Sequence, residues 1–172
     1  MTEAELLAVV SRLPRRPRYI RDAPRTILEV ARLVESLGGA ERLWEGRSAD
    51  DVKRQLKAIH GVGEGIASMV VVLLEKYRGV RFPDLARMNV KADVHVQRVL
   101  YRLGAARGRS AAEATGAAAA LNPEYPGDLD QALWTIGQQW CHESGPDCMN
   151  CPMADLCIGF IIVVHSPHIN RL

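Results

Sequence analysis

The chain has 172 residues, 48% of them hydrophobic and 24% charged, and a net charge of +2. That composition suits one compact globular unit or two small lobes. The most apolar run, Ile66 to Leu74, contains Ser68 and falls well short of the ~18 residues that span a bilayer, so no membrane segment is expected. The start, with Thr2 and Glu3, has no basic-then-apolar leader, so no secretory signal is expected.

Helix signals recur along the chain and strand signals are sparse. Thr2 and Glu5 form a capping-box pattern ahead of Leu6, Leu7, Val9 and Val10. Arg12, Arg15, Arg16, Arg18, Arg21 and Arg25 then follow closely, opposed only by Asp22. Such a run reads either as a solvated basic segment or as one that neutralises phosphates, since each phosphate contact releases condensed counterions. Asp22 with Pro24 opens a second helix and Gly38–Gly39 closes it, with Ile27, Val30, Leu33 and Val34 on one face. Ser48 with Asp51 starts a third, carrying Val52, Leu56 and Ile59.

The stretch from Leu56 to Ala67 reads as a glycine-rich hairpin between two helices. Gly61 and Gly63 permit positive φ and let a partner approach the backbone, while Val62 packs inward and fixes the turn. Ile66, Ala67, Met69 and Val70 begin the next helix, whose first N–H groups form an anion site suited to a DNA phosphate. A G-V-G between helices also makes a plain structural turn, and Glu64 puts a negative charge where the anion would sit.

From Lys91 to Leu100 a further helix is predicted, with Val96, Val99, Leu100 and Leu103 as its buried stripe and Asp93 at its N-terminal end. Asp93 reads as an N-cap. A carboxylate placed there can also stabilise positive charge on a deoxyribose as a base departs, or orient the attacking water. His95 is a candidate neighbour and a candidate structural histidine. Ser110 with Glu113 starts an alanine-rich helix, and Asp128 to Cys141 reads as the last, holding Leu129, Leu133 and Ile136. Phe160 to Val164 is too short and isolated a β-branched run to define a sheet, and no internal repeat is present. The expected fold class is all-α.

All four cysteines, Cys141, Cys148, Cys151 and Cys157, fall in one short stretch with the spacing C-x6-C-x2-C-x5-C. Soft thiolates so close together suit an iron–sulfur cluster or zinc. Structural zinc sites commonly show two short-spaced pairs, and only one C-x2-C pair occurs here, which favours four ligands around one larger cluster. Disulfides are the other option for such a set.

In this order the hairpin Ile59-His60-Gly61-Val62-Gly63, the stretch Ala92-Asp93-Val94-His95-Val96-Gln97-Arg98 and the four cysteines resemble the helix-hairpin-helix DNA glycosylases of the endonuclease III superfamily. In that family the corresponding patterns are L-P-G-V-G, V-D-x-H-x-x-R and the same cysteine spacing. The similarity runs from about Tyr19 to Cys157. The resemblance implies a shortened barrel-like helical module over residues 19–104, containing the helix-hairpin-helix. It also implies a [4Fe–4S] module formed by residues 1–18 and 105–172. By the same match Asp93 is the catalytic carboxylate, Gly61, Val62, Gly63, Gly65 and His95 meet DNA, and Cys141, Cys148, Cys151 and Cys157 ligate the cluster. The implied partner is double-stranded DNA bearing a damaged or mismatched base or an abasic site, and the implied location is cytoplasmic, on the nucleoid.

Four departures from the family pattern shape the expected chemistry. Gly65 stands where bifunctional members carry the Schiff-base lysine, so a monofunctional base-excision glycosylase is expected, with Lys91, Lys57 and Lys53 as other amines nearby in sequence. The part before the hairpin is short, which suggests a partner subunit completing the barrel or a reduced form of the enzyme. The loop from His142 to Asp147 is acidic where relatives are often basic, and residues 79–91 are longer than their counterpart. The alternative expectation is a non-catalytic iron–sulfur DNA-binding protein, or a reduced endonuclease III-like protein with abasic-site binding or lyase activity.

Overall fold

The computed structural model describes residues 1–17 and 19–159, so Arg18 and the run Phe160 to Val164 lie outside the described residues. Among the described residues every regular element is helical, in line with the all-α expectation. Among these residues no helix is long and apolar enough to cross a membrane. The chain divides into two compact units, Met1–Asp84 and Leu85–Leu172.

In the first unit, helix α1 (Glu3–Val10) begins with a complete Thr2–Glu5 capping box and buries Leu6 and Val10. It packs on α2 (Ala23–Leu37), which has Pro24 in its first turn and ends at Gly38 with φ +77°. A 3₁₀ turn, Glu41–Leu43, leads to α3 (Ala49–Lys57) and then to α4 (Glu64–Arg78), which packs against α3. The start of α3 is held twice. Ser48 Oγ accepts from the Asp51 amide, and the Asp84 carboxylate, 35 residues downstream, accepts from the Ala49 amide at 2.6 Å. Val52, Leu56 and Ile59 are buried as their spacing predicts. The apolar run Ile66–Leu74 is buried on one side only. Ala67, Val71 and Val72 are inside, whereas Ile66 and Leu73 are each 40% exposed, because helical periodicity carries them to the opposite face.

In the second unit a 3₁₀ turn, Leu85–Arg87, precedes α5 (Val94–Arg102), α6 (Ala111–Leu121) and α7 (Asp130–Gln139). Val90, Val96, Val99, Leu100, Ala106, Ala114, Ala117, Ala118 and Leu133 form its core. Each fully buried valine or leucine contributes about 1.5–3 kcal/mol. The last helix starts later than the sequence pattern suggests. Pro126–Leu129 is a tight 3₁₀ turn whose Gly127 amide is taken by the Met88 carbonyl at 2.7 Å, and α-helical pairing begins only at Asp130. Two further 3₁₀ turns, Cys148–Asn150 and Ala154–Leu156, carry the cysteine segment.

Candidate functional site

The hairpin belongs to the first unit. Gly61 takes φ +78°, and a Cβ there would stand 3.1 Å from Thr26 Oγ1, so both conformation and close packing call for glycine. Gly63 is the extended N-cap of α4, and no side chain caps the helix. The first turn of α4, including Gly65, therefore offers amides to an outside acceptor. Val62 is half-buried and its amide donates to the Ile59 carbonyl at 3.1 Å, which closes the turn. α2 braces the hairpin from behind: Thr26 Oγ1 donates to the His60 carbonyl (2.9 Å) and the His60 amide donates to Glu29 Oε2 (2.6 Å). That amide and the adjacent Arg25 guanidinium hold the Glu29 carboxyl below the usual range.

Glu64 does not face the anion site as a bare charge. Its carboxylate receives Lys57 Nζ at 2.6 Å and stands 3.6 Å from Lys53 Nζ. Both lysines lower its pKa, the Lys57 hydrogen bond most. Lys57 and Lys53 are thus turned toward Glu64, and Lys53 also pairs with Asp50.

Asp93, His95 and the cysteines belong to the second unit. Asp93 is the N-cap of α5: its Oδ1 accepts from the amides of His95 (2.9 Å) and Val96 (3.2 Å). It is half-buried. His95 packs against α7, its ring edge-on to Trp134 at 6.4 Å. Its Nδ1 lies 2.9 Å from Arg98 Nη2. The same Nδ1 lies 3.2 Å from the Gly137 carbonyl, and Nε2 lies 3.3 Å from the Gln138 side-chain amide. These contacts give His95 a structural part in the α5–α7 junction.

Arg98 closes the stretch that resembles V-D-x-H-x-x-R, but the sequence assigned it no role. Only 3% exposed, it donates through Nε to the Cys141 carbonyl at 2.6 Å and through Nη2 to the Gly137 carbonyl at 2.9 Å. It thereby caps the C-terminal end of α7 and ties the first cysteine to the helix that Asp93 opens. Gly137 makes the approach possible, since a Cβ there would fall 2.7 Å from His95 Cβ and 3.2 Å from its Cα. The one sequence signal for this junction is a lone glycine inside a helical pattern. Arg102 continues the clasp, donating to Cys141 Sγ (3.5 Å) and the His142 carbonyl (2.6 Å), while its own carbonyl accepts from the Cys157 thiol (3.3 Å).

The acidic loop is largely neutralised from within. Glu143 pairs with Arg109 through both carboxylate oxygens, and Arg98 and Arg102 lower its pKa further. Asp147 accepts from the Asn150 amide at 3.0 Å. The four cysteines are half-buried and none is in a disulfide. Burial first, then the neighbouring Cys157, Cys141 and Cys151, pushes the Cys148 thiol up. Among the described residues no three histidine, cysteine, aspartate or glutamate side chains converge as ligands of one metal ion. The hairpin glycines thus come together in one unit, and Asp93, His95 and the cysteines in the other, linked by Arg98.

Over 139 residues the chain is 30% identical to Endonuclease III of Thermotoga maritima, a match covering 80% of this chain and 57% of that protein. The chain thus spans little more than half the length of that relative. The similarity points to the endonuclease III superfamily and no further. No protein-family model and no solved structure matches the chain.

Proposed function

We propose that this chain is a DNA base-excision glycosylase that hydrolyses the N-glycosidic bond of a flipped damaged or mismatched base. The observation that carries the reading is a braced, glycine-built hairpin with open helix-start amides, in a chain similar along most of its length to Endonuclease III. In this reading the hairpin Gly61–Gly65 grips a backbone phosphate, and a base leaves the stack so that its sugar can be reached. As the C1′–N bond breaks and the base departs, the Asp93 carboxylate stabilises the positive charge growing on the deoxyribose. It then directs water, whose oxygen bonds to C1′ and whose proton is released. Gly65 has no amine, and Lys57 and Lys53 are drawn to Glu64. The proposed enzyme therefore leaves an abasic site uncut.

The cysteine donor set fits a [4Fe–4S] cluster. Structural zinc sites commonly show two short-spaced cysteine pairs, and one C-x2-C pair flanked by single cysteines suits a cubane better. Cys141, Cys148, Cys151 and Cys157 would hold the cluster, which would fix the segment they share and set it against DNA.

The cap geometry of Asp93 equally suits a protein that binds DNA without cutting it. One experiment separates the two readings. Duplexes with uracil, thymine glycol, a G·T mismatch or 8-oxoguanine opposite adenine are incubated with the protein, with and without alkali to reveal abasic sites. Base release without strand cleavage is expected, and loss of at least a hundredfold in rate on Asp93→Asn. Asparagine caps a helix as well as aspartate, so the variant should keep its stability within a few tenths of a kcal/mol. Absence of release on every duplex, or an unimpaired Asp93→Asn enzyme, refutes the catalytic reading.

A further inference from the structure

The segment between α1 and α2 is a charge source that the glycosylase reading does not use. Residues 11–21 contain five arginines and no acidic residue. The four described, Arg12, Arg15, Arg16 and Arg21, are all exposed, and none has a side-chain ion-pair or hydrogen-bond partner among the described residues. Elsewhere on this unit the chain pairs most of its cations: Arg25 with Glu29, Arg42 with Glu45, Arg54 with Asp51, and both Lys53 and Lys57 with Glu64. Arg32 and Arg78 are likewise without a side-chain partner among the described residues, but only residues 11–21 gather several such arginines in one short stretch.

Their position gives them a use. The segment runs directly into Asp22, Thr26 and Glu29, the three residues through which α2 holds the hairpin. Asp22 Oδ1 stands 3.5 Å from His60 Nε2, Thr26 bonds the His60 carbonyl, and Glu29 takes the His60 amide. Asp22, the acidic residue that follows the run, is thereby directed at His60. Pro14 and Pro17 fix φ at two points and reduce the entropy lost when the arginines are held against a ligand.

We propose that Arg12, Arg15, Arg16 and Arg21 form a second phosphate-binding surface, built in one piece with the hairpin, that grips the backbone of duplex DNA. The proposal rests on the glycosylase reading for the identity of the polyanion. It adds a contact that carries charge without sequence or lesion information.

Salt dependence reads this directly, because log K falls with log salt by about 0.9 for each phosphate neutralised. Binding to an undamaged duplex and to the same duplex with an abasic site is measured between about 50 and 200 mM salt. The variants are the fourfold Arg→Gln protein and the fourfold Arg→Lys protein at these positions, each checked for an unchanged melting curve. The glutamine protein should lose about 2 to 4 from the slope, equally on both duplexes, and the lysine protein should restore most of it. An unchanged slope in the glutamine protein, with wild-type protein binding DNA, overturns this surface and leaves the glycosylase reading intact. A loss confined to the abasic duplex, or arginine-dependent binding to anionic vesicles in place of DNA, overturns it too. Wild-type protein that binds no duplex overturns both.

Discussion

Arg98 shows how one side chain can hold a site that it does not form. Near the end of α7 the Cys141 amide bonds to the Ile136 carbonyl, which leaves Gly137 without its intrahelical donor, and Arg98 supplies one. Replacing Arg98 with methionine keeps much of the stem's packing but orphans the Gly137 and Cys141 carbonyls. A loss of about 2–4 kcal/mol in a urea titration is expected. Lysine should rescue only part, since one ammonium cannot reproduce a planar fork reaching two carbonyls. Wild-type stability in the methionine variant would remove Arg98 from this role. Little of the clasp was legible beforehand. In sequence, Arg98 is marked only as the last residue of the family-like stretch, and its partners lie 39 and 43 residues downstream, where local pattern gives no sign of them. Asp93 was legible as a cap because the donors it serves are two and three residues away.

At the scale of elements, the same distinction separates what local pattern predicts from what it misses. The starts of α1, α3 and α6 followed from Thr2, Ser48 and Ser110, each bonded three residues on. The bracing of the hairpin by Glu29 and the second cap of α3 by Asp84 had no such signature, since both bridge more than thirty residues. Glu29 also makes the α2–hairpin joint sensitive to acid. Its folded pKa is depressed, first by the His60 amide and next by Arg25. The stabilisation is therefore fully present above the unfolded value of about 4.3 and is lost as pH falls through the folded pKa. Glu29→Gln should lower the urea midpoint at neutral pH, and the gap to wild type should close as pH is taken below about 4. A gap that stays constant across that range would show that the carboxylate's charge is not what holds the joint.

Across the whole molecule, the two ends of the chain's physics are unequal. The helical units are held by burial: α5 alone buries Val96, Val99 and Leu100. The segment that carries Cys148, Cys151 and Cys157 has two 3₁₀ turns, neither with a buried residue, and leaves Met149 80% and Leu156 71% exposed. Apolar burial cannot order such a stretch against a backbone entropy cost of about 1–2 kcal/mol per residue. Arg102 and the Glu143–Arg109 pair anchor its first few residues, up to the acidic loop. Beyond them the Asp147 amide reaches the Trp140 carbonyl and the Cys157 thiol the Arg102 carbonyl, and in the proposed reading ligation orders the stretch between, as in small metal-dependent domains. Protein purified without oxygen should be brown and carry about four irons and four sulfides per chain, matching the one four-cysteine set. Removal of the iron by chelator should then raise amide hydrogen exchange sharply across residues 144–157, while α5 and α6 stay protected by their own core. Colourless protein with zinc bound would replace the cluster with a single ion. Exchange in 144–157 that is indifferent to iron would mean that something other than ligation holds this end of the chain.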